Sequence, residues 1–425
     1  MEEVKRFLTK WELSIETIDL EKEIKLFIDE MIKGLEGIKS TLPMLPTFIG
    51  GDFKLTLNKK VLVIDAGGTN LRTCLVEFKT DLEPIISSFS KSKMIGFAKE
   101  VSSKQFFSEL ADKVEPLIRD TNNIAFCFSY PALSSEDGDA KALYFSKEIK
   151  AGSVIGMPLG TSLLKELEQR GHNIEEKRVV VLNDTVATLL AGKANNNKIP
   201  YATYIGFILG TGTNTSYIEK NSSIKKLNLN DDKNQIINVE AGSYALKLGA
   251  LEKAFVLTTV DSNLYHFEKV VGGAYLGLFS HFVIEKAIEE NLFSLEFVKT
   301  FKQIETLDTK RMSHYLEDPN NKEYDLVRCV ATKQDDLVLT TLLKTVIKRA
   351  ALFSAINICS AIIKSGVQKG RVCLNVDGST FYKTAYLEQY TKEFVKSYLK
   401  EIEVDFIHIA DSPLIGSAIA ALDRT

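Results

Sequence analysis

The sequence lacks the cysteine patterns of zinc-binding and disulfide-rich proteins. No two cysteines form a Cys-x-x-Cys pair, so neither a Cys-rich zinc site nor a disulfide framework is expected. The cysteines lie scattered in apolar runs, at Cys74, Cys127, Cys329, Cys359 and Cys373. This placement predicts buried free thiols and a reducing, cytoplasmic location.

Strong charge and long apolar segments are also missing. The net charge is −3, so no global field draws the chain to nucleic acid or to an anionic membrane. The first ten residues, MEEVKRFLTK, carry charges where a signal peptide needs an apolar core. The longest uncharged apolar stretch, residues 350–363, is shorter than the ~20 residues that span a bilayer. We therefore expect neither a nucleic-acid partner nor a membrane partner.

The common nucleotide-binding and metalloprotease motifs are absent too. The chain has no G-x-x-x-x-G-K-[ST] loop and no His-Glu-x-x-His pair. The segment GTGTNT at 210–215 fails the G-x-G-x-x-G pattern at its last glycine. A P-loop fold and a classical dinucleotide-binding fold are therefore not expected.

What the chain does have is an anion-binding pattern at residues 61–78, VLVIDAGGTNLRTCLVEF. Two strand-like runs flank a tight turn, which predicts a β-hairpin. Glycine amides and polar side chains there can hold a phosphate, at Gly67, Gly68, Thr69, Asn70 and Arg72. Asp65 would face the same phosphate, which requires a divalent cation between them. We interpret the segment as a Mg-nucleotide hairpin; alone, it equally suits a surface hairpin.

The rest of the chain alternates strand-like and helix-like patterns, which predicts a mixed α/β protein. A second strand–turn–strand unit occupies 201–219, around a Gly-Thr-Gly-Thr-Asn turn. Helices are expected within 1–40, over 270–291, over 335–364 as one or two, and from Pro413 onward. At 425 residues, two domains are expected, and two halves that each present a Gly/Thr turn suggest a nucleotide in the cleft between them.

Several short segments, in unbroken order from about residue 61 to the C-terminus, resemble motifs of the hexokinase family. Five resemble the family's sugar-binding and catalytic segments: Ser129-Tyr130-Pro131, Ser146-Lys147, Asn183-Asp184-Thr185, Asn238-Val239-Glu240 and Phe267-Glu268-Lys269. Three resemble its phosphate and adenosine segments: residues 65–72, Gly210-Thr211-Gly212-Thr213-Asn214 and Asp377-Gly378-Ser379. The resemblance implies the two-domain actin-like ATPase (ribonuclease H-like) fold, with a mixed sheet and flanking helices in each domain and an active-site cleft between them.

The resemblance also implies a reaction. A hexokinase with one kinase unit would transfer the γ-phosphoryl group of Mg-ATP to the 6-hydroxyl of glucose, and also of mannose or fructose, as the first step of glycolysis. Asp184 would be the general base, and Lys147 would bind the sugar or neutralise the transferred phosphoryl group. Phosphates and water would hold most of the Mg²⁺ coordination shell, with Asp65 nearby and no dedicated protein ligands.

Each ligand has its own implied set of residues. The sugar would contact Ser129, Tyr130, Pro131, Ser146, Lys147, Asn183, Asp184, Asn214, Glu240 and Glu268. The nucleotide would contact Asp65, Gly67, Gly68, Thr69, Asn70, Arg72, Thr211, Gly212, Gly378 and Ser379. The small domain would comprise residues 55–185 plus 411–425, and the large domain residues 1–54 plus 186–410.

Some positions depart from the family pattern, and other interpretations stay open. Phe145 stands where tryptophan is usual and Ala241 follows Glu240 where tryptophan is common, which leaves the preferred hexose open. Asp184 could instead cap the helix that follows it, and Asp377-Gly378 could be an ordinary turn. Two other functions fit the same scaffold: a sugar-binding sensor or nucleotide switch with weak or no catalysis, and a glucokinase of the repressor-ORF-kinase type. The Cys-rich zinc motif of the latter is missing here.

Overall fold

The structure is a computed structural model that describes residues 2–53, 55–79, 83–145, 149–195, 199–229 and 231–423. The first part of the chain contains α1 (Glu2–Lys10), α2 (Leu20–Glu36), β1 (Leu45–Pro46), β2 (Lys60–Ala66), β3 (Asn70–Phe78), β4 (Pro84–Lys93), α3 (Ser103–Val114), β5 (Asn123–Phe128), β6 (Ala132–Ser134), β7 (Ala140–Ala142), α4 (Leu159–Gln169), β8 (Arg178–Leu182) and α5 (Asp184–Asn195).

The second part contains β9 (Thr203–Leu209), β10 (Thr213–Lys220), β11 (Asn234–Asn238), α6 (Ala250–Thr258), α7 (His266–Val271), α8 (Gly273–Glu289), α9 (Leu295–Phe301), α10 (Thr309–Glu317), α11 (Asp325–Cys329), α12 (Lys333–Lys364), β12 (Gly370–Asp377), α13 (Ser379–Lys383), α14 (Leu387–Tyr398), β13 (Ile402–Ile407) and α15 (Ser412–Asp423). The sequence did not predict the short helices α6, α9, α10, α11 and α13.

The same strand arrangement occurs in both halves. The first sheet has the order β4-β3-β2-β5-β8, with β2 and β3 antiparallel and β5 and β8 parallel to β2. The second sheet has the order β1-β11-β10-β9-β12-β13, with β9 and β10 antiparallel and β12 and β13 parallel to β9. Each half thus contains a hairpin followed by two parallel strands. The predicted hairpins at 61–78 and 201–219 are confirmed.

Three apolar cores hold the molecule together. One lies on the outer face of the first sheet, under α3 and α4. A larger one surrounds α12 and supports the second sheet. The third lies between the two sheets, where α5 packs against α15. In each sheet, the parallel strands have their carboxyl ends at the same side of the sheet. This arrangement brings the strand ends of both sheets to one cleft.

Helix α12 is 32 residues long and contains a strongly apolar stretch. Within the described ranges it alone is long and apolar enough to cross a membrane, but 89% of its most apolar window is buried inside the protein. A core helix passes the same test of length and composition. The five cysteines are buried and none forms a disulfide, as the sequence predicted.

The helix predicted over 270–291 is divided into α7 and α8. Gly272 between them has extended backbone, with ψ 145°. The first amides of α8 bond instead to the Gly-Thr-Gly turn: Gly273 donates to the Gly210 carbonyl at 2.9 Å, and Ala274 donates to the Thr211 carbonyl at 3.0 Å. The break therefore gives the turn hydrogen-bond donors that a continuous helix would have used internally.

Gly416 is where α15 approaches α5 most closely. A Cβ at Gly416 would lie 1.7 Å from the carbonyl oxygen of Ala187, which is backbone and cannot rotate away. We expect Gly416→Ala to push the two helices apart and to lower the melting temperature by several degrees, since overpacking costs about 1–3 kcal/mol. Thermal unfolding measures this. Gly152→Ala, where a Cβ meets nothing within 4 Å, is the control; equal melting temperatures for the two variants would contradict the close approach.

Candidate active site

Asp184 is the first residue of α5 and directly follows β8 and Asn183. The amide of Thr185 donates to the side-chain oxygen of Asn183 at 2.9 Å, and the amide of Ala187 donates to the Asn183 carbonyl at 3.1 Å. Asn183 therefore caps the helix. The interpretation of Asp184 as the cap is wrong, and its carboxylate instead accepts hydrogen bonds from Thr185, whose hydroxyl lies 3.4 Å away, and from the Ser129 hydroxyl.

The carboxyl of Asp184 has a pKa of about 7. Burial is the largest cause of this rise, and the charges of Asp65 and Asp377 add to it, while a hydrogen bond from the Ser129 hydroxyl lowers the pKa. Asp65 is the next-to-last residue of β2 and Asp377 ends β12, so three strand ends bring acidic groups together. A carboxyl that titrates near neutral pH is suited to accept a proton.

This raised pKa predicts a trade-off between stability and function. Because the folded pKa exceeds the ordinary value, the native protein binds more protons between pH ~4 and ~7, and the carboxyl lowers stability increasingly as pH rises through that window. Asp184→Asn should therefore raise the ligand-free melting temperature at pH 8 by on the order of 2 °C, with little difference at pH 5. Thermal scans at both pH values test this. The exposed Asp29→Asn is the control, and a variant no more stable than wild type at pH 8 would contradict it.

An amide cluster adjoins Asp184. The side chain of Asn214 donates to the oxygen of Asn183 at 3.3 Å and to that of Asn238 at 2.8 Å. The Asn214 oxygen in turn accepts from the backbone amide of Ala241 at 3.2 Å. The cluster joins the end of β8 to the start of β10 and the end of β11, and so fixes the relative positions of both sheets' strand ends.

Glu240 belongs to this cluster. Asn238 donates to its carboxylate at 2.8 Å, and its backbone is left-handed, with φ 57°. Burial raises the pKa of Glu240 to about 7, a rise opposed by the Asn238 hydrogen bond and increased by the charges of Asp184 and Glu268. A strained backbone beside buried carboxyl groups is typical of a functional site.

Glu268 lies on α7 and accepts from the amide of Thr213 at 3.3 Å. Burial raises the pKa of its carboxyl. Gly212 lies against it so closely that a Cβ would be 2.2 Å from the Glu268 carboxylate. The structure thus brings Asp184, Glu240 and Glu268 together, while their contacts with a sugar stay a prediction.

The segment after β5 connects this acidic group to the first hairpin. The amide of Ser129 donates to the carbonyl of Ala66 at 3.1 Å. The hydroxyl of Tyr130 donates to the carbonyls of Gly67 and Gly68, at 3.0 and 3.1 Å, and Pro131 is buried behind it. Tyr130 therefore supports the hairpin turn, while its predicted contact with substrate stays a prediction. Ser146 and Lys147, which were also predicted here, lie outside the described residues.

The first hairpin turn is closed by an amide of Gly67 that donates to the carbonyl of Asn70 at 3.0 Å, and the Asn70 side chain donates to Thr69 at 2.9 Å. Behind the turn, Arg72 donates to Asp65 at 2.5 Å and to Asp411 at 3.1 Å. The guanidinium of Arg72 thus contacts two carboxylates, one of them at the start of α15. Its role as a phosphate ligand stays a prediction.

The second turn meets the predicted adenosine segment. The hydroxyl of Thr380, beside Ser379 at the start of α13, donates to the carbonyl of Gly210 at 2.8 Å. Gly378 has φ 112°, and a Cβ there would lie 2.3 Å from the carbonyl oxygen of Leu209. Only glycine fits this contact. The Asp377-Gly378 segment is therefore part of the same structure as the Thr211-Gly212 turn.

The acidic strand ends do not form a protein-only metal cage. Among the described ranges, no group of three or more His, Cys, Asp or Glu side chains is placed to hold a metal ion. Asp65 and Asp377 lie close together. Burial is the main cause of the raised pKa of the Asp65 carboxyl, and the negative charge of Asp377 raises it further. Two nearby carboxylates suit Mg²⁺ that retains water and phosphate ligands.

Four residues of this region were not among the predicted site residues: Tyr144, Asn238, Tyr265 and Asp377. Two had a usable signal. Asn238 lies in the same three-residue segment as Glu240, and Asp377 ends an apolar strand. The two tyrosines are 121 positions apart (265 − 144) and follow no motif.

Comparisons with known proteins agree with this geometry. Two family profiles, both described as hexokinase, match residues 3–194 and 204–423. Hexokinase-1 of Schizosaccharomyces pombe is 28% identical over 393 residues, which cover 87% of this chain and 80% of that protein. Glucokinase-1 of Kluyveromyces lactis is 29% identical over 394 residues, covering 80% and 79%.

A solved structure shows the same fold. The hexokinase of Schistosoma mansoni complexed with glucose superposes with a TM-score of 0.82 at 24% identity, covering 99% of this chain and 98% of that one. The predicted two-domain actin-like α/β fold is thereby confirmed.

Proposed function

Because this chain belongs to the hexokinase family and is an ATP-dependent hexose kinase, we propose that its substrate is glucose, and also mannose or fructose. The phosphoryl group would go to the 6-hydroxyl, as the first step of glycolysis. The observation that carries this proposal is the group of Asp184, Glu240 and Glu268 in the cleft. Asp184 has a pKa of about 7 and does not serve as a helix cap.

Asp184 is the general base of the proposed reaction. Its carboxylate takes the proton of the sugar's 6-hydroxyl as the oxygen attacks the γ-phosphorus of ATP, and ADP leaves. A positioned base of this kind supplies ~10²–10⁴ in rate. The Ser129 hydroxyl, which hydrogen bonds to Asp184, orients the carboxylate toward the substrate.

The remaining polar groups of the cleft bind the other hydroxyls of the sugar. Glu240 and Glu268 accept hydrogen bonds from two hydroxyls, and the amide groups of Asn183 and Asn214 both donate and accept. The contacts assigned to Ser146 and Lys147 rest on sequence alone. Support for glucose comes from the relatives, one of which is named a glucokinase and another of which was solved with glucose.

The two Gly/Thr turns hold the nucleotide in this proposal. Backbone amides at Gly67 and Gly68 and the side chains of Thr69 and Asn70 contact one phosphate region, and the Thr211-Gly212 turn contacts another. Gly378 and Ser379 lie against the adenosine. Asp65 faces the Mg²⁺, whose charge, when bound, neutralises the phosphates and favours attack on the γ-phosphorus.

The domain division and the location in the cell belong to the same proposal. The small domain comprises residues 55–185 plus 411–425, and the large domain residues 1–54 plus 186–410. Binding of the sugar draws them together, which excludes water and prevents hydrolysis of ATP. The protein acts in the cytoplasm, where its buried thiols stay reduced.

The release of ADP from the purified protein with Mg-ATP tests the proposal, across glucose, mannose, fructose, glucosamine, N-acetylglucosamine and no sugar. Fast release with glucose and almost none without sugar is expected. Release that does not depend on sugar would contradict it. No release, together with measurable glucose binding, would favour the alternative of a sugar-binding sensor on the same scaffold.

A further inference from the structure

Two tyrosines outside the predicted motifs face each other across the cleft. Tyr144 follows β7 and so extends from the half that carries the first sheet. Tyr265 directly precedes α7, three residues before Glu268. Their ring centroids are 6.0 Å apart, and their phenol groups lie within hydrogen-bonding reach of each other. The two halves of the molecule therefore meet at this pair.

The pair stands beside the carboxyl groups assigned to the sugar. The charges of Glu240 and Glu268 raise the pKa of both phenols, after the larger effect of burial. Each phenol consequently stays neutral and keeps a proton to donate. Both tyrosines lie in connecting segments and are half-buried.

The surrounding structure fixes the positions of both tyrosines. Phe145, next to Tyr144, packs among Phe106, Phe128 and Tyr130, with ring centroids 6.1, 5.6 and 5.1 Å away. Phe145 thus packs into the core of the first half and fixes the chain beside Tyr144. Tyr265 has a left-handed backbone, with φ 58°, a conformation that persists only where the surroundings enforce it.

We propose that Tyr144 and Tyr265 form a clasp over the hexose pocket that excludes sugars with bulky groups on the ring positions bound by Glu240 and Glu268. The inference rests on the proposed function, which directs the 6-hydroxyl to Asp184 and so leaves the other ring hydroxyls facing those two carboxylates. The tyrosine rings stand on that side. An acetamido group in place of a ring hydroxyl collides with the two tyrosine rings, whereas a hydroxyl group is small enough to fit under them.

Calorimetric binding of glucose and N-acetylglucosamine to the full chain tests the clasp without relying on catalysis. We expect the wild type to bind glucose at least ~100-fold more tightly than N-acetylglucosamine. Tyr144→Ala and Tyr265→Ala should each lower that ratio about tenfold or more, because they remove the ring that meets the acetamido group. Leu264→Ala, which changes the neighbouring exposed side chain (55% exposed), should leave the ratio unchanged.

The hydrogen bond has its own test, with variants that keep both rings. Tyr144→Phe and Tyr265→Phe should each weaken glucose binding about 3- to 10-fold. The double variant should lose no more than either single variant, because all three break the same bond. The KM for ATP should not change. Additive losses in the double variant would overturn the shared bond.

The outcomes separate this inference from the proposed function. A wild type that phosphorylates glucose, with a sugar-binding ratio that neither alanine variant alters, overturns the clasp alone. A wild type that binds neither sugar and phosphorylates none overturns the proposed function, and the clasp with it.

Discussion

Replacing Asp184 with alanine should lower turnover with glucose by ~10²–10⁴ while glucose still binds. In our proposal the carboxyl group accepts the proton of the attacking hydroxyl, and no other described carboxyl combines a pKa raised to about 7 with a hydrogen bond from Ser129. The pKa of Glu240 is also raised to about 7, but its carboxylate accepts a hydrogen bond from the Asn238 side chain. Steady-state kinetics with Mg-ATP, and calorimetry with glucose alone, measure the two effects separately.

The matched variant is Asp184→Asn, which keeps the size of the side chain and its hydrogen bonding. It should be as inactive as the alanine variant, since an amide does not accept the proton. If either variant turned over at the wild-type rate, Asp184 would not be the base. If both lost glucose binding as completely as activity, Asp184 would act in binding and not in proton transfer.

Replacing Glu268 with glutamine should weaken glucose binding about 10- to 100-fold, because hydrogen bonds to a charged acceptor are worth about 1.5–3 kcal/mol. The KM for ATP should change little, since we assign the Glu268 carboxylate to the sugar and its contact with the Thr213 amide can also be made by the glutamine oxygen. Calorimetry with glucose and kinetics with varied ATP check both parts.

The exposed Glu296→Gln is the control for Glu268→Gln, since it makes the same chemical change on α9 away from the cleft. It should leave glucose binding and the KM for ATP at wild-type values. A Glu268→Gln variant with weakened ATP binding and normal glucose binding would place this carboxylate on the nucleotide side, contrary to our assignment.

Sequence alone could predict those residues whose position in the fold is determined by the pattern of their immediate neighbours. Asp65 lies at the end of an apolar strand and Asp184 just after one, where a polar side chain is expected at the carboxyl end of the sheet. The glycines of the two turns predict that other groups contact the backbone closely there. The contact of Gly212 with the Glu268 carboxylate is an example. The two hairpins could be predicted for the same reason, but the order of the strands in each sheet was not predicted.

What the sequence could not predict depends on contacts between distant parts of the chain. Arg72 has the pattern of an anion ligand, yet it contacts Asp411, which lies 339 positions away. The break at Gly272 frees helix amides that donate to a turn 63 residues earlier (273 − 210). The Tyr144–Tyr265 pair likewise exists only after folding. No local propensity encodes contacts of this kind.

The most direct test of the central claim is the chemical position of the transferred phosphoryl group. Incubation of the protein with Mg-ATP and ¹³C-labelled glucose, followed by NMR, should give glucose 6-phosphate and ADP in equal amounts, and 6-deoxyglucose should give no sugar phosphate. A phosphate on any other carbon, or ADP formed as fast with 6-deoxyglucose as with glucose, would contradict the proposal that this cleft phosphorylates the 6-hydroxyl of a hexose.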